Sequence, residues 1–349
     1  MINIKKDFLI KNMEESNSSS NNNKSHNNKS QKSNRKKVGI TDDVRCEYHI
    51  QSPEHQESPD RIKAIRQKLK DTGIYKQLVK IEPIDPTRED LLRVHSNRYI
   101  NKVMRTCTNW PHAMIGSEDV RVNGKHSLIS AGVAVGSVLS AVDVVINSGR
   151  IDKIFCNVRP PGHHASAHKA NGFCIFNNIA IGVKKALTYK GINKVLIFDW
   201  DLHHGDGTQK IFKCNPDVMF SSFHRSAPFY PNSGSSNEIG KYDTIDNHPQ
   251  NEYDTVDDYM REFYEDFLPK AKEFDPDIVF ISCGFDGHKD DLYEAMGLDY
   301  KHFKVMTREL CNLANHHSNG RLISVLEGGY TLSVISECAA VHVSELINN

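Results

Sequence analysis

Short apolar runs alternate with longer stretches of helical length along most of the chain. Five runs rich in β-branched and aromatic residues end in Gly, Pro, Asp or His, at 153–158, 194–200, 217–224, 277–286 and 321–329. Helical stretches separate most of them, at 127–147, 176–189, 255–273, 301–317 and 332–347. Because near-continuous apolar strands alternate with helices, the pattern predicts an α/β fold. We expect a single three-layer α/β/α domain with a mostly parallel central sheet.

The N-terminal region has a different composition. The segment 14–37, "EESNSSSNNNKSHNNKSQKSNRKK", almost lacks apolar side chains, so it cannot bury enough surface to offset chain entropy. We therefore predict a disordered Asn/Ser/Lys-rich segment over 1–37 and one folded domain over 38–349. The closing "NRKK" is interpreted as a solvated basic linker, with a weak nuclear-import patch as the alternative.

The amino-acid composition argues against several classes of protein. Lys+Arg and Asp+Glu are both 44 in 349 residues, and this balance does not favour direct binding to nucleic acid or to a membrane surface. The apolar runs look short and interrupted, so no transmembrane helix is expected. The N-terminus lacks a secretory signal, which favours the nucleus and/or the cytoplasm. The 8 cysteines form no C-x-x-C pair, and several lie in apolar runs, which predicts buried reduced thiols.

Polar side chains follow four of the predicted strands. In open parallel sheets, ligands bind beyond the carboxyl ends of the strands, so these side chains should meet at one rim. In chain order they are His163 and His164; Asp199, Asp201, His203, His204 and Asp206; Asp286, His288, Asp290 and Asp291; and Tyr330.

The aspartates after the second of these strands predict a metal site. Three carboxylates within eight residues repel one another, and a divalent cation removes that conflict. Asp201 and His203 can point the same way, and Asp286 can supply a third ligand. Two Asp and one His leave a coordination position open, which favours catalytic Zn²⁺, with Fe²⁺ or Mn²⁺ as alternatives. The competing interpretation makes Asp199 and Asp206 loop caps and His203 a hydrogen-bonded loop histidine, and the neighbouring polar clusters argue against it.

Two further features suggest catalysis. The His163–His164 pair follows a rigid "PPG" turn, and imidazoles can exchange protons with water near neutral pH. Tyr330 follows Gly328 and Gly329, so its phenol could hydrogen-bond a developing oxyanion. Taken alone, two capping histidines and a tyrosine packed over a turn are the plainer interpretations.

Five motifs occur in an order that resembles one family. "RPPGHHA", "DWDLHHGDGTQ", "SSFHR", "SCGFDGHKDD" and "LEGGY" are similar to the zinc-dependent histone deacetylases, closest to the class II branch. The likeness runs from about residue 38 to the C-terminus. It implies an arginase/deacetylase fold, one Zn²⁺ per chain, and hydrolysis of N6-acetyl-lysine to lysine and acetate in chromatin and transcriptional regulation.

The resemblance also implies roles for individual residues. Asp201, His203 and Asp286 match the metal ligands. The catalytic set matches His163, His164 and Tyr330, with Asp199 hydrogen-bonded to His163 and Asp206 to His164, while His204 is structural. Substrate-binding positions match Gly172 and Phe173 on one tunnel wall, Tyr230 on the other with Phe229 beside it, and Asp119 at the rim. Backbone oxygens near Asp199, Ser222 and Phe223 resemble a structural K⁺ site.

The implied partners are acetylated histone tails or other acetylated proteins, together with co-repressor complex subunits. Deacetylation of small amines such as acetylpolyamines is an alternative. Tyr293 stands where the polyamine-selective branch carries a Glu, which argues against it, although Glu294 is adjacent. An inactive acetyl-lysine-binding scaffold is disfavoured because the ligands and Tyr330 are kept. A binuclear manganese ureohydrolase would need further ligands, for which His288 and Asp290 are the candidates.

Overall fold

The structure, a computed structural model, describes residues 37–349 apart from Glu118 and Glu294. The strands are β1 (Lys37–Thr41), β2 (Val79–Lys80), β3 (Ala113–Met114), β4 (Arg121–Val122), β5 (Ile151–Cys156), β6 (Val195–Asp199), β7 (Val218–Arg225), β8 (Ile245–Gln250), β9 (Ile278–Cys283) and β10 (Leu322–Leu326). The helices are α1 (Asp60–Asp71), α2 (Arg88–Leu92), α3 (Asn97–Asn109), α4 (Lys125–Asn147), α5 (Asn178–Ala186), α6 (Asp206–Phe212), α7 (Val256–Glu262), α8 (Leu268–Phe274), α9 (Tyr300–His317) and α10 (Leu332–Asn348).

Eight strands form one parallel sheet in the order β2-β1-β5-β10-β9-β6-β7-β8, and β3 and β4 form a separate antiparallel pair. The predicted mostly parallel sheet is confirmed, as are its five predicted strands. The predicted disordered segment lies outside the described residues except for Lys37, where β1 begins.

The predicted helices are present with small differences in length. The stretch predicted as one helix over 255–273 is divided into α7, a π-helical turn at Phe263–Phe267, and α8. Strand β8 was not predicted because it is an edge strand. Its sequence "IDNHPQ" pairs only with β7 in the sheet, and a proline is tolerated at such an edge.

Helix α4 corrects one sequence-based expectation. It is long and apolar enough to cross a membrane by length and composition, so the expectation that every apolar run is too short was wrong. Most of this helix is buried, and it packs against α5 and β5. One such helix is weak evidence for a membrane span, because the core helices of globular proteins have the same composition.

The buried core contains most of the cysteines. All eight cysteines are free thiols, and only Cys214 is exposed, as the sequence predicts. Burial raises the pKa of Cys46 and Cys156 to about 12, so these two thiols stay protonated.

The polar clusters converge because their strands are neighbours. Strands β5, β10, β9 and β6 lie side by side at the centre of the sheet. The register pairs Val325 with Cys156, Leu326 with Cys283, and Asp199 with Ser282, so the four strands end at the same level. The loops that follow them therefore begin together at one rim.

Candidate functional site

Three potential metal ligands meet at this rim. Asp201 and His203 follow β6, and Asp286 follows β9. The Nδ1 atom of His203 lies 3.1 Å from Asp201 Oδ1 and 3.0 Å from Asp286 Oδ2. One ligand atom from each residue lies within 4.8 Å of the others, and all three residues are buried. In the described part of the chain, this is the group of His, Cys, Asp and Glu side chains that has the geometry to hold a metal ion.

The charges and pKa values of the triad favour a bound cation. Burial and the charge of Asp201 raise the pKa of Asp286 to about 6. Burial alone would lower the pKa of His203, but the carboxylates of Asp201 and Asp286 raise it to about 9. Asp201 and Asp286 are both buried and both contact the imidazole of His203. A divalent cation would compensate the negative charge of the two carboxylates. One nitrogen and two carboxylate oxygens suit Zn²⁺.

Neighbouring glycines leave room for the ligand oxygens. A Cβ added at Gly328 would lie 2.3 Å from Asp286 Oδ2 and 2.6 Å from Asp201 Oδ2. A Cβ at Gly284 would lie 2.1 Å from Asp201 Oδ2. Any larger residue at either position would therefore displace the carboxylates. The "EGGY" and "SCGFD" motifs thus have a steric reason to contain glycine at these positions.

The extra ligands that a binuclear site would need are not at the triad. The Nδ1 atom of His288 accepts the backbone N–H of Asp290 at 3.1 Å, and the His288 ring lies 4.5 Å from the ring of Tyr300. Asp290 itself is exposed. These two residues belong to the loop after β9 and are not part of the group that could hold a metal ion among the described residues, so the geometry supports a single-metal site.

The two histidines lie beside the triad with the implied partners. His163 Nδ1 is 3.1 Å from Asp199 Oδ2, and His164 Nδ1 is 2.8 Å from Asp206 Oδ1. The two imidazole ring centres are 4.0 Å apart. His163 Nε2 is 3.7 Å from Asp201 Oδ1, which places the pair next to the metal ligands. Each aspartate therefore fixes the orientation of one ring through its Nδ1 atom.

Their surroundings set the two histidines in different protonation states. Burial alone would lower the pKa of His163, but Asp201, Asp199 and Glu327 hold it well above its usual value. Burial and the charge on His163 lower the pKa of His164 to about 4. The two imidazoles therefore differ, and His164 is the one that stays neutral at neutral pH and can accept a proton.

Tyr330 faces the same space from the loop after β10. Its ring lies 6.2 Å from Phe173 and 5.9 Å from Tyr293, edge to face in both cases. Its backbone N–H donates to the carboxylate of Asp291 at 2.9 Å. Burial, together with Asp286 and Asp201, raises the pKa of the phenol well above its usual value, so it remains a hydrogen-bond donor.

A buried ionic cluster supports this loop, and sequence reasoning did not identify it. Arg61 donates to the carbonyl oxygens of Gly329 and Glu327, both at 2.5 Å, and its guanidinium lies 5.1 Å from the Tyr330 ring centre. Glu57 accepts from Arg159 through both carboxylate oxygens at 2.8 Å and from Arg61 at 3.3 Å. An arginine directly after an apolar strand, as in "IFCNVRPPG", is the signal that could have pointed to it.

Aromatic rings surround the approach to the metal ligands. Phe229 stacks on His203 at 5.3 Å between ring centres, and Tyr230 lies 5.2 Å from His164. The resemblance implied Tyr230 for the wall opposite Phe173, and the structure brings Phe229 to the site as well. A Cβ at Gly172 would lie 2.2 Å from His164 Cδ2, so this position lies directly against the histidine pair.

Asp119 lies at the edge of the aromatic wall. Its Oδ2 accepts the backbone N–H of Gly172 at 3.0 Å and the phenol of Tyr230 at 3.3 Å. It therefore ties the loop between β3 and β4 to both sides of the approach. His204 has a different place, because its two ring nitrogens contact Ser233 Oγ and Gln209 Oε1, both at 2.8 Å. This agrees with the structural role expected for His204.

Comparisons with known proteins identify relatives over most of the chain. The family model described as the histone deacetylase domain matches residues 55–346. The chain is 34% identical over 339 residues to histone deacetylase 5 of Arabidopsis thaliana, covering 91% of this chain and 50% of that protein. It is 34% identical over 322 residues to polyamine deacetylase HDAC10 of Mus musculus, covering 89% of this chain and 46% of that protein. The chain thus spans about half the length of these relatives.

A solved structure gives the same result for the fold. The crystal structure of the HDA15 HD domain matches with a TM-score of 0.83 at 31% identity. The match covers 90% of this chain and 89% of that domain. The arginase/deacetylase fold implied by the sequence resemblance is therefore confirmed.

Proposed function

The chain belongs to the histone deacetylase family, and from this premise we propose that it is a zinc-dependent lysine deacetylase. The proposed reaction is hydrolysis of N6-acetyl-lysine in proteins to lysine and acetate. The observation that carries this proposal is the meeting, at one rim, of the triad Asp201, His203 and Asp286 with the paired imidazoles and the phenol of Tyr330. A scaffold that only binds acetyl-lysine would not need this complete set.

The triad would hold the Zn²⁺, which when bound polarises a carbonyl oxygen and lowers the pKa of water. The side chains around it supply the proton transfers. His164 is neutral and takes a proton from the attacking water at Nε2. The same nitrogen then gives that proton to the departing amine, so the proton count balances. His163 lies beside His164 as the second imidazole of the pair, with its ring centre 4.0 Å away.

Two carboxylates that hold the histidines, together with one phenol, complete the site. Asp206 and Asp199 hold the Nδ1 atoms and so aim both Nε2 atoms at the reacting groups. The protonated phenol of Tyr330 donates to the oxyanion that forms when water adds to the acetyl carbonyl. Phe173, Phe229 and Tyr230 offer apolar contact to the lysine methylenes, each worth about 0.8 kcal/mol when buried.

Acetylated proteins, including histone tails, are the proposed substrates, in chromatin or transcriptional regulation. The polyamine alternative has one observation in its favour, the similarity to a protein named polyamine deacetylase. Against it, Tyr293 presents an aromatic ring 5.2 Å from the His203 ring, where selection of a cationic amine would call for an acid. Glu294 lies outside the described residues.

Rates on three substrates test this proposal: an acetyl-histone peptide, an acetyl-tubulin peptide and acetylspermidine, each with and without a chelator. We expect chelator-sensitive turnover that is fastest on a peptide. Faster turnover of acetylspermidine than of either peptide would indicate that small acetylated amines are the substrates. No turnover of any substrate by zinc-loaded protein would contradict the proposed activity.

Three further expectations belong to the proposal. We place the protein in the nucleus and/or the cytoplasm, with co-repressor complex subunits as partners. We also propose a structural K⁺ held by backbone oxygens near Asp199, Ser222 and Phe223. The pairing of Asp199 with Ser222 across β6 and β7 supports this K⁺ site, because it brings the two backbones together at the strand ends.

A further inference from the structure

Helix α3 carries an unusual stripe of positive charge. Arg98, Lys102 and Arg105 are spaced i, i+4 and i+7, so they lie on one face of the helix. All three are exposed, while the opposite face buries apolar side chains such as Ile100 and Val103 in the core. A surface cavity of about 970 Å³ lies along the charged face. We call this cavity the α3 groove.

The charges in the α3 groove have no acidic partner in the part of the chain that the structure describes. In that part no carboxylate lines the groove, and Arg98, Lys102 and Arg105 form no ion pair with an Asp or Glu. Like charges spaced by three and four residues destabilise a helix by a few tenths of a kcal/mol per pair, roughly the size of a favourable pair. Since no described residue supplies the counter-charge, an anionic ligand can supply it.

Uncharged side chains in the groove can also donate hydrogen bonds to a ligand. Arg88 donates to the side-chain oxygens of Asn97 and Asn101, the latter at 2.5 Å. Each amide oxygen therefore already accepts one hydrogen bond, and each NH₂ group can donate to a ligand. His168 adds an exposed imidazole from the loop between His164 and Gly172.

An aromatic side chain lies at one end of the groove, and a backbone hydrogen bond fixes the other end against a neighbouring loop. Trp110, which follows α3, is 62% exposed and lines the groove. At the other end of α3, the backbone N–H of Ser96 donates to the carbonyl of Ala167 at 2.8 Å. This bond ties the helix to the loop that leads from the histidine pair to Phe173. A ligand in the groove would therefore lie beside the catalytic rim and outside it.

We propose that the α3 groove binds an acidic segment of a partner protein. Seven residues of helix span about 10 Å, which suits a few carboxylates of one peptide. A nucleic-acid surface needs a longer basic track, and the whole chain has a formal net charge of zero. The inference concerns a surface outside the metal site and stands apart from the proposed deacetylase function.

Fluorescence of Trp110 offers a direct readout. The chain has two tryptophans, and the other, Trp200, is completely buried. The probe is a Glu-rich peptide titrated into the full-length protein, with a Gln-rich peptide of the same length and a single-stranded oligonucleotide of the same charge as comparisons. We expect saturable quenching or enhancement by the Glu-rich peptide that weakens as salt rises.

The decisive variant is Arg98→Gln/Lys102→Gln/Arg105→Gln. Its matched control is Lys301→Gln/Lys304→Gln/Arg308→Gln, which removes three exposed charges at similar spacing from α9. The α3 variant should bind the acidic peptide about tenfold or more weakly, while the α9 variant binds like the parent protein. Thermal melting of both variants shows whether they are folded.

Three results would overturn the inference. The parent protein could fail to bind the Glu-rich peptide, or the α3 variant could bind it as well as the α9 variant does. The oligonucleotide could also bind more tightly than the peptide of equal charge, which would make the groove a nucleic-acid surface.

Discussion

The carboxylate of Glu327 accepts the backbone N–H of His163 at 3.1 Å. The same oxygen accepts the N–H of Gly162 at 2.6 Å. A side chain from the loop after β10 therefore holds the backbone that carries the histidine pair after β5. This contact positions two loops of the proposed active site relative to each other, although Glu327 itself reaches none of the reacting groups.

Replacing Glu327 tests that positioning role. Glu327→Leu leaves two buried N–H groups unpaired, each costing about 1–3 kcal/mol, so we expect about 2–6 kcal/mol less stability and slower deacetylation. Glu327→Gln keeps an oxygen acceptor and should restore most of both. Urea unfolding at fixed zinc concentration and steady-state rates measure the two effects. If the Gln variant is as impaired as the Leu variant, the carboxylate acts through its charge and not through these two bonds.

Tyr330→Phe should slow the chemical step by about 10²–10³-fold, because it removes one donor to the oxyanion. Zinc content and KM should stay close to those of the parent protein. Tyr293→Phe is the matched control, since it removes a phenol from the same rim and loses only the 2.6 Å bond from Gln56. Equal effects of the two substitutions on kcat would refute the special role of Tyr330.

Gly328→Ala tests the steric room around the metal ligands. The added Cβ would overlap the carboxylate oxygens of Asp286 and Asp201, so we expect loss of zinc and of activity. Gly287→Ala is the control, because its Cβ would meet Leu298 Cδ1 at 3.3 Å and no ligand oxygen. Metal analysis of both variants after dialysis provides the readout. A Gly328→Ala protein that keeps one zinc would show that the ligands lie elsewhere.

A pH-dependent stabilisation is expected at His248, away from the site. Its ring nitrogens contact Asp246 at 2.9 Å and Glu262 at 3.2 Å. Burial alone would lower the His248 pKa, but these carboxylates raise it above its usual 6.5. A raised folded-state pKa means that the stabilisation is complete below pH 6.5 and disappears as the pH rises through the folded-state pKa.

The direction of this pH dependence can be checked on His248→Gln. Its free energy of unfolding is compared with that of the parent protein at several pH values. The difference should be largest at about pH 5.5–6 and smaller at about pH 9. His112→Gln, at an exposed histidine, controls for general effects of the substitution. A difference between the parent protein and His248→Gln that does not change with pH would contradict the assigned ion pairs.

The cluster of polar residues at the rim could be predicted because its sequence pattern is local. Charged residues such as Asp201 and Asp286 directly follow apolar strands, and parallel strands bring such ends to the same side. The partners of the histidines came from the family resemblance, and the structure shows the corresponding contacts. Strand order and register then turn separate sequence motifs into one cluster.

Other parts of the site depend on tertiary contacts that no local pattern reports. The ion pair between Glu57 and Arg159 joins residues 102 positions apart, and both are buried charges that composition would place at the surface. The joint position of Phe229 and Tyr230 depends on how their loop bends. Whether the α3 charges have acidic partners among the described residues likewise depends on which side chains the fold brings beside the helix.

The account rests on a metal ion held by Asp201, His203 and Asp286, and its most direct test is metal content measured together with activity. The purified protein should contain about one zinc per chain, lose turnover of an acetyl-lysine peptide when the zinc is removed, and recover it with about one equivalent. Asp286→Ala should lose both zinc and turnover. Full turnover by metal-free protein, or by Asp286→Ala, would contradict the account.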